Sequence, residues 1–238
     1  GGDVARDEIV VVSKIGYVQA SNLQLARQRQ AAGEGFAEMV EYDDDCWHCI
    51  HPDFLADQLD RSLSRLGLEA LDVCLLHNPE YFFSDRLQRE GAVTDADRDV
   101  FYARVEAAFG YFEAQVKAGR LGRYGVPSNT DASEGPTATS LGRFLAAARA
   151  AGGEQHHFRV LQLPANLLEQ AGVRVDGVVA RARDAGLAVL ANRPLNAIVG
   201  GSMVRLAAPP EVPNPGIAFD DARAQLADVE GMLVQMVA

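Results

Sequence analysis

The chain has 238 residues, of which 48% are hydrophobic and 23% are charged. This composition is that of an ordinary globular protein and excludes low-complexity, collagen-like and disordered chains. The formal net charge of −11 opposes binding to phosphate backbones, so we expect no nucleic-acid partner. No window approaches the roughly 18 consecutive apolar residues of a membrane helix, so we expect no membrane partner either.

The cysteine content and the N-terminus indicate the cellular compartment. Three cysteines are too few for a disulfide scaffold. The first residues lack the apolar core of a signal peptide, so we expect a cytoplasmic protein. The chain starts at Gly1 rather than at Met, which suggests a trimmed, tagged or partial N-terminus. A homo-oligomer stays open as an alternative to a monomer.

Strand-like and helix-like segments alternate along the chain. Apolar runs predict strands at residues 9–12, 71–76, 122–126, 158–163 and 187–190. Apolar residues at helical spacing, with terminal Pro and Gly signals, predict helices at residues 52–66, 95–118, 140–150 and 175–185. We expect loops in the polar stretch up to residue 45, at residues 81–83, and at residues 200–201 and 209–215. A last predicted helix, at residues 220–237, lies outside the alternation.

The alternation of five predicted strands with four predicted helices is the pattern of parallel βαβ units. The predicted fold is α/β, a (β/α)₈ TIM barrel that is incomplete in this chain. A closed barrel needs eight strands and typically about 250 residues, whereas about five strands are recognisable here. We divide the chain into a barrel portion at residues 1–200 and a Pro-rich loop with a C-terminal helix at residues 201–238.

Lys14 and His77 follow two of the predicted strands directly. In a parallel barrel the functional groups gather at the carboxyl ends of the strands. The chain has 22 basic residues, and only Lys14 and Lys117 among them are lysines. A lysine ammonium is a compact donor whose pKa shifts on desolvation, which a guanidinium does not offer. We therefore predict that Lys14 is functional and that the His77 imidazole faces a substrate carbonyl. The alternatives are a lysine that only extends from the strand end into solvent and a hydrogen-bonded histidine at the barrel rim.

Further polar and aromatic residues lie near predicted strand ends. Ser128 and Asn129 follow the third strand and Gln162 lies within the fourth, where hydroxyl and amide groups can bind a planar carboxamide. Trp47, Tyr81 and Phe82 are candidates for an apolar substrate pocket. A desolvated lysine can also attack a carbonyl, so a Schiff-base lyase using Lys14 stays an alternative.

Cys46, His48, Cys49 and His51 form a short cluster that suggests a metal site or a redox pair. No second cysteine pair or downstream histidine pair completes a tetrahedral zinc site. We therefore predict no metal site and interpret the cluster as ordinary packing, with a metal site and a redox pair as the alternatives.

Five segments in sequence order resemble motifs of the aldo-keto reductase family. They are residues 11–16 (VVSKIG), 59–67 leading to 71–79 (LDRSLSRLG and LDVCLLHNP), 119–129 (GRLGRYGVPSN), 161–168 (LQLPANLL) and 193–195 (RPL). The resemblance covers about residues 5–200. It implies a TIM barrel that binds NADP(H), or NAD(H) as the alternative, without a Rossmann domain. The implied reaction reduces a small-molecule aldehyde or ketone to an alcohol by hydride transfer.

The resemblance also implies roles for individual residues. In such enzymes a Tyr gives the proton, a Lys lowers the pKa of that Tyr, an Asp pairs with the Lys, and a His orients the carbonyl. Lys14 and His77 match the Lys and the His by position. Ser128, Asn129 and Gln162 match the residues that contact the nicotinamide amide, although Pro127 lengthens the usual wording of the motif before Ser128 by one residue.

The sequence departs from the family pattern in several places. The Asp and the Tyr, with the first two barrel strands, belong to a segment upstream of Lys14 that this chain does not match. Asn192 stands where many relatives have a Tyr that stacks on the nicotinamide. Residues 201–238 do not match the loop that binds the adenosine phosphate. We expect a partial chain, and a non-catalytic nicotinamide-binding module stays an alternative to the enzyme.

Overall fold

The computed structural model describes residues 4–128, 135–174, 177–200 and 202–207. Its strands are β1 (Val12–Ile15), β2 (Tyr17–Val18), β3 (Val40–Glu41), β4 (Trp47–His48), β5 (Leu71–Leu76), β6 (Leu121–Pro127), β7 (Phe158–Pro164), β8 (Ala188–Asn192), β9 (Asn196–Val199) and β10 (Ser202–Arg205). Its α-helices are α1 (Ala20–Ala31), α2 (Pro52–Leu66), α3 (Tyr81–Glu90), α4 (Asp95–Lys117), α5 (Leu141–Gly152) and α6 (Val178–Asp184). Asn129, the predicted loop at 209–215 and the predicted helix at 220–237 lie outside the described residues.

A parallel five-stranded sheet in the order β1-β5-β6-β7-β8 is the centre of the fold. The chain order of these strands equals their spatial order, as expected when each returns through a crossover on the same side of the sheet. The α/β fold class is therefore confirmed. In the part of the chain that the structure describes, the sheet is open, as expected for a portion of a (β/α)₈ barrel.

Local sequence signals explain where the main helices begin and end. α2 starts with Pro52 after the His51 cap and ends at Gly67, which adopts the left-handed conformation at a φ of 64°. The Thr94 hydroxyl accepts from the Asp97 backbone N–H at the start of α4, a capping box that stabilises this helix. Both predicted helices are confirmed. Within the described ranges, no helix is both long and apolar enough to cross a bilayer.

The helices cover the convex side of the sheet and form the main core with it. Phe109 of α4 packs against Tyr124 of β6 and Phe158 of β7, with ring centroids 4.9 and 5.2 Å away. Phe101 and Phe144 extend this aromatic layer between α4 and α5, and all five rings are fully buried. Burying large aromatic side chains is the main source of stability in such a layer.

Successive side chains of a strand point to opposite faces, so every second residue lies on the concave side of the sheet. There, Val73, Leu75 and Val160 form a small apolar cluster, and Leu190 packs against it. Lys14 pairs with Leu75 in register, so it shares that face. We call the cluster formed by Val73, Leu75, Val160 and Leu190 the apolar floor.

The sheet curves strongly around the apolar floor. The Lys14 Nζ donates to the Gln162 Oε1 at 2.6 Å, although β5 and β6 lie between β1 and β7. In a flat sheet these strands would be about 14 Å apart, three spacings of about 4.8 Å. The two side chains meet because the curvature brings the outer strands towards each other, as in a barrel wall.

The first strand lies three residues later than predicted. The prediction placed it at residues 9–12, but β1 covers Val12–Ile15. The Val11 N–H donates to the Asp72 carboxylate at 2.7 Å, and Arg6 pairs with the same oxygen. The Val11 N–H thus bonds to a side chain rather than to a backbone carbonyl of β5. Regular pairing between the two strands therefore begins only at Val12. Val10 and Val12, next to the outer edge of β1, are 74% and 40% exposed.

Several elements were predicted as loops. The polar stretch before residue 45 contains α1, which buries only Leu23 and Ala26, and the strands β2 and β3, which both pair with β4 in an antiparallel sheet. The predicted aromatic loop at 81–83 starts α3, because Phe82 and Phe83 are buried in the core. Gly200, by contrast, lies in a turn between β9 and β10, where a loop was predicted.

A substitution at Gly125 tests whether the close approach of β6 to β7 requires a glycine. A Cβ at this position would lie 2.1 Å from the Val160 carbonyl oxygen, a backbone atom that cannot rotate away. We expect Gly125→Ala to lower the free energy of unfolding by about 2 kcal/mol or more, the cost of overpacking, measured by urea denaturation. The control Gly110→Ala, where the added Cβ meets nothing within 4 Å in α4, should raise it by about 0.5–1 kcal/mol. Equal stability of Gly125→Ala and the wild type would contradict the proposed packing.

Candidate active site

Lys14 and His77 lie at the same edge of the sheet, at the carboxyl ends of the neighbouring strands β1 and β5. The Ile15 carbonyl accepts from the His77 N–H at 2.7 Å, which extends the parallel ladder past the end of β5. Lys14 is within β1 rather than after it, which corrects the sequence interpretation. Its ammonium is close enough to the His77 imidazole to influence the pKa of that group. The structure thus brings the two predicted residues together.

The His77 imidazole is held neutral by its surroundings. Burial, the positive charge of Lys14 and the neighbouring His48 lower the pKa of His77 to about 4, from an ordinary value of 6.5. A neutral imidazole keeps one N–H donor and one acceptor nitrogen. At neutral pH, His77 can therefore donate a hydrogen bond to an oxygen without carrying charge itself.

Lys14 is a cation on the concave face whose charge acts on His77. Its ammonium donates to Gln162, and partial burial lowers the pKa of Lys14 from its ordinary value. Desolvation of an ammonium favours its neutral form, which is the direction needed for an amine that exchanges protons or attacks carbonyls. The contact with Gln162 also links the predicted catalytic pair to the predicted amide-binding residue.

Two tyrosines form an aromatic wall next to His77. The Tyr17 ring meets the His77 ring edge-on, with centroids 4.4 Å apart, and meets the Tyr81 ring at 5.1 Å. The Asn78 Nδ2 donates to the Tyr17 hydroxyl at 3.0 Å. Burial raises the pKa of both tyrosines, so their phenols stay protonated. Tyr81 thus lies next to Tyr17, and Tyr17 lies next to His77.

His48 lies next to this aromatic wall and contacts the backbone of His77. Its Nε2 lies 2.6 Å from the His77 carbonyl oxygen, and its ring stacks on Tyr81 at 5.6 Å and 11°. Only 2% of the residue is exposed, and burial lowers the pKa of His48 to about 4. Because a carbonyl only accepts, the neutral imidazole must carry its hydrogen on Nε2.

The residues predicted to bind a nicotinamide amide have different surroundings. Gln162 lies on the concave face, and its backbone carbonyl accepts from the Ser128 N–H at 3.0 Å. The Ser128 hydroxyl is buried and bonded to that of Thr139 at 2.9 Å. Asn192, at the end of β8, has a buried Oδ1 with no hydrogen-bond partner among the described residues. Asn192 lies two residues beyond Leu190, the register partner of Gln162 in β8, so the two amides are on the same face of the sheet.

Two predicted pocket residues lie elsewhere. Trp47 is next to His48 in β4 and therefore points to the opposite side of that strand, where it packs in the core below the Arg27 guanidinium. Phe82 is buried between Phe101 and the Arg104 guanidinium. The alternation of β4 and the inward face of α3 account for both positions. We therefore remove Trp47 and Phe82 from the candidate pocket.

The cysteine cluster is buried in the packing around β4. Cys46, Cys49 and Cys74 are all free and buried. Burial raises the pKa of Cys49 to about 12, so its thiol stays protonated, whereas metal ligation and disulfide exchange require a thiolate. Within the described ranges, no group of three or more His, Cys, Asp or Glu residues could hold a metal ion. These positions support the packing interpretation.

Sequence reasoning did not place Tyr17 and His48 at the site. Both belong to strands of only two residues, which show no apolar run. The available signal was the position of Tyr17, three residues after Lys14 and directly after Gly16. Such a short connection keeps Tyr17 at the strand end where Lys14 lies.

The matching family model is described as the aldo/keto reductase family and covers residues 2–196. No curated protein matches the chain. Among solved structures, it is similar to a glycerol dehydrogenase from Gluconobacter oxydans (16% identity, 79% of this chain and 41% of that chain, TM-score 0.46). An aldose reductase from Giardia lamblia (18%, 82% and 48%, TM-score 0.44) and the holo form of an aldo-keto reductase from Bacillus halodurans (13%, 78% and 43%, TM-score 0.47) also match. The chain spans less than half of each of these three structures.

The neutral state of His48 predicts a loss of stability in acid. The pKa of His48 falls from 6.5 to about 4 on folding, so the unfolded chain binds more protons between these values. The free energy of unfolding should therefore fall as the pH drops from about 6.5 to about 4, by about 3 kcal/mol for this group. In chemical denaturation at several pH values, His48→Gln should show a shallower slope than the wild type.

The matched control is Tyr81→Phe, which changes a side chain stacked on His48 but keeps both imidazoles. It should retain the slope of the wild type over the same pH range. Identical slopes for His48→Gln and the wild type would contradict a buried, neutral His48.

Proposed function

Because this chain belongs to the aldo/keto reductase family, we propose that its site reduces an aldehyde or ketone with a nicotinamide cofactor. NADP(H) is the proposed cofactor and NAD(H) the alternative. The observation that carries the proposal is the meeting of Lys14, His77 and Gln162 at one edge of the concave face, next to the apolar floor. A few convergent polar groups above an apolar surface are typical of small-molecule sites.

Gln162 and Asn192 are the residues proposed to hold the nicotinamide carboxamide. The unused Oδ1 of Asn192 supplies an acceptor, and the Gln162 amide supplies both a donor and an acceptor. The predicted contact through Asn129 stays a proposal, and Ser128 supports Gln162 through its backbone N–H. When bound, the cofactor supplies the hydride.

His77 is proposed to bind the carbonyl oxygen of the substrate. Its pKa of about 4 keeps the imidazole neutral, so His77 donates a hydrogen bond rather than a proton. Negative charge develops on this oxygen during reduction, and a fixed donor stabilises that charge more than it stabilises the bound carbonyl. The ammonium of Lys14 adds positive charge on the same face.

The proton of the product alcohol needs a separate donor. Tyr17 is poorly suited, because burial raises its pKa and its hydroxyl already accepts from Asn78. We therefore propose the Tyr of the family pattern as the donor, with Lys14 lowering its pKa; no described residue matches that Tyr. Tyr17, Tyr42 and Tyr81 are proposed as the pocket wall, and the last two pack with ring centroids 4.8 Å apart.

A Schiff-base lyase stays the second candidate because burial lowers the pKa of Lys14. A neutral amine at this edge could attack a carbonyl carbon, with loss of water to form an imine. Borohydride reduction would trap that imine on Lys14 as a stable adduct, detectable by mass spectrometry. Hydride reduction of the substrate leaves no such adduct.

We also propose a cytoplasmic location. All three cysteines are buried as free thiols, as is usual for proteins of reducing compartments.

Replacing Lys14 and Gln162 tests the proposed reaction in the complete gene product, because the proposed Tyr donor has no match among the described residues. We expect the wild type to quench NADPH fluorescence on binding and to oxidise NADPH in the presence of simple aldehydes. Gln162→Leu should weaken NADPH binding about tenfold, the effect of one lost hydrogen bond. Lys14→Met should lower turnover by about 10²-fold or more, because charge stabilisation is lost. The control Lys117→Met removes the other lysine, in the last turn of α4, and should change neither quantity.

The outcomes separate the alternatives. NADPH binding without turnover of any aldehyde or ketone would favour a non-catalytic nicotinamide-binding module. A borohydride-trapped adduct that disappears in Lys14→Met would favour the lyase. Neither binding nor turnover in the wild type would reject the proposed function.

A further inference from the structure

A side chain holds the backbone of His77 where the main sheet ends. β1 stops at Ile15, whose carbonyl accepts from the His77 N–H at 2.7 Å. The chain then turns at Gly16 into β2, so the β1 ladder does not continue alongside the His77 carbonyl. The Nε2 of His48 lies 2.6 Å from that carbonyl oxygen and replaces the missing ladder donor. The N–H of His77 is thus bonded to a backbone carbonyl, and the carbonyl of His77 is bonded to the His48 side chain.

Gly16 makes room for this contact. A Cβ on Gly16 would lie 2.6 Å from the His77 carbonyl oxygen and 2.7 Å from the His48 Nε2, so a larger residue would separate the two histidines. The Gly16 carbonyl in turn accepts from the Cys49 N–H at 2.9 Å, which ties the loop after β4 to the same point. His48 is therefore fixed relative to the end of β5 by backbone as well as by its own ring.

The rings around His48 leave its imidazole little freedom. It stacks on Tyr81 and meets Tyr17 edge-on at 5.7 Å. Tyr17 in turn packs edge-on against the His77 ring. The titratable groups that face His77 are Lys14, Tyr17 and His48, and those that face His48 are Tyr17, Tyr81 and His77.

We infer that His48 is a positioning residue for His77: its Nε2–H bond to the His77 carbonyl fixes the backbone from which the reactive imidazole projects. The inference rests on the proposed function, in which His77 binds the substrate oxygen. The His48 side chain directly contacts the His77 carbonyl and the rings of Tyr17 and Tyr81, so His48 acts on the site through His77. Its loss should affect the orientation and surroundings of one imidazole while leaving the binding of NADPH intact.

Two substitutions separate the hydrogen bond from the ring. His48→Phe keeps a ring of similar size but removes the donor, whereas His48→Gln removes the ring but supplies an amide N–H. Because a freed imidazole is less desolvated, we expect His48→Phe to raise the pKa of His77, followed by NMR, towards its ordinary value. It should lower the kcat for aldehyde reduction at least about tenfold, while the Kd for NADPH changes less than about twofold. His48→Gln should recover most of the kcat.

A measurement on the wild type keeps the inference testable if His48→Phe does not fold. Nitrogen-15 NMR of the imidazole should show His48 as the Nε2–H tautomer, with a slowly exchanging N–H. The Nδ1–H tautomer would overturn the inference without any variant. Folding of both variants is checked by circular dichroism. The control variant is His51→Phe, which replaces the histidine at the N-cap of α2.

Each outcome bears on one proposal. A folded His48→Phe with the pKa and kcat of the wild type would overturn the positioning role. Loss of kcat in His48→Gln equal to that in His48→Phe would also overturn it, because the hydrogen bond would not be the cause. If the wild type reduces no carbonyl compound, the proposed function fails, and the tautomer and the His77 titration still decide whether His48 positions His77.

Discussion

The parallel pairing of β1 with β5 determines which residues share the concave face. Lys14 lies opposite Leu75, so a shift of one residue would turn the ammonium towards the helices and bring Ser13 to its place. The same register brings the Ile15 carbonyl to the His77 N–H and ends the ladder at Gly16. The positions of Lys14, His77, Tyr17 and the turn into β2 all follow from this one alignment.

Polar groups concentrate where the apolar floor ends. Val73 and Val160 fill the lower concave face, and the half-buried His77 and the buried His48 lie beside its upper rim. Burial makes charge costly there, so both histidines stay neutral and use their hydrogens in fixed directions. The site therefore combines one cation, Lys14, with neutral donors, an arrangement suited to an oxygen on which charge appears only during reaction.

Much of this was predictable from the sequence. Long apolar runs and clear caps identified the main strands and α4, and the strand-end rule brought Lys14 and His77 together. The short elements were not predictable, because a two-residue strand cannot show which of its residues faces inward. Trp47 was therefore chosen for the pocket, whereas its neighbour His48 faces the site. The prediction for Phe82 was wrong for a related reason. An aromatic residue between a predicted strand and the next helix indicates core packing as readily as a pocket.

The outer edge of β1 gives the described fold a tendency to self-associate that depends on ionic strength. Its valines, Val10 and Val12, are exposed, and backbone groups along such an edge can pair with another strand. Mutual repulsion between copies that each carry a net charge of −11 works against that pairing. Dissolved ions shorten the range of this repulsion to about 3 Å at 1 M. High salt concentrations therefore favour self-association of the protein, whereas low salt concentrations favour separate molecules.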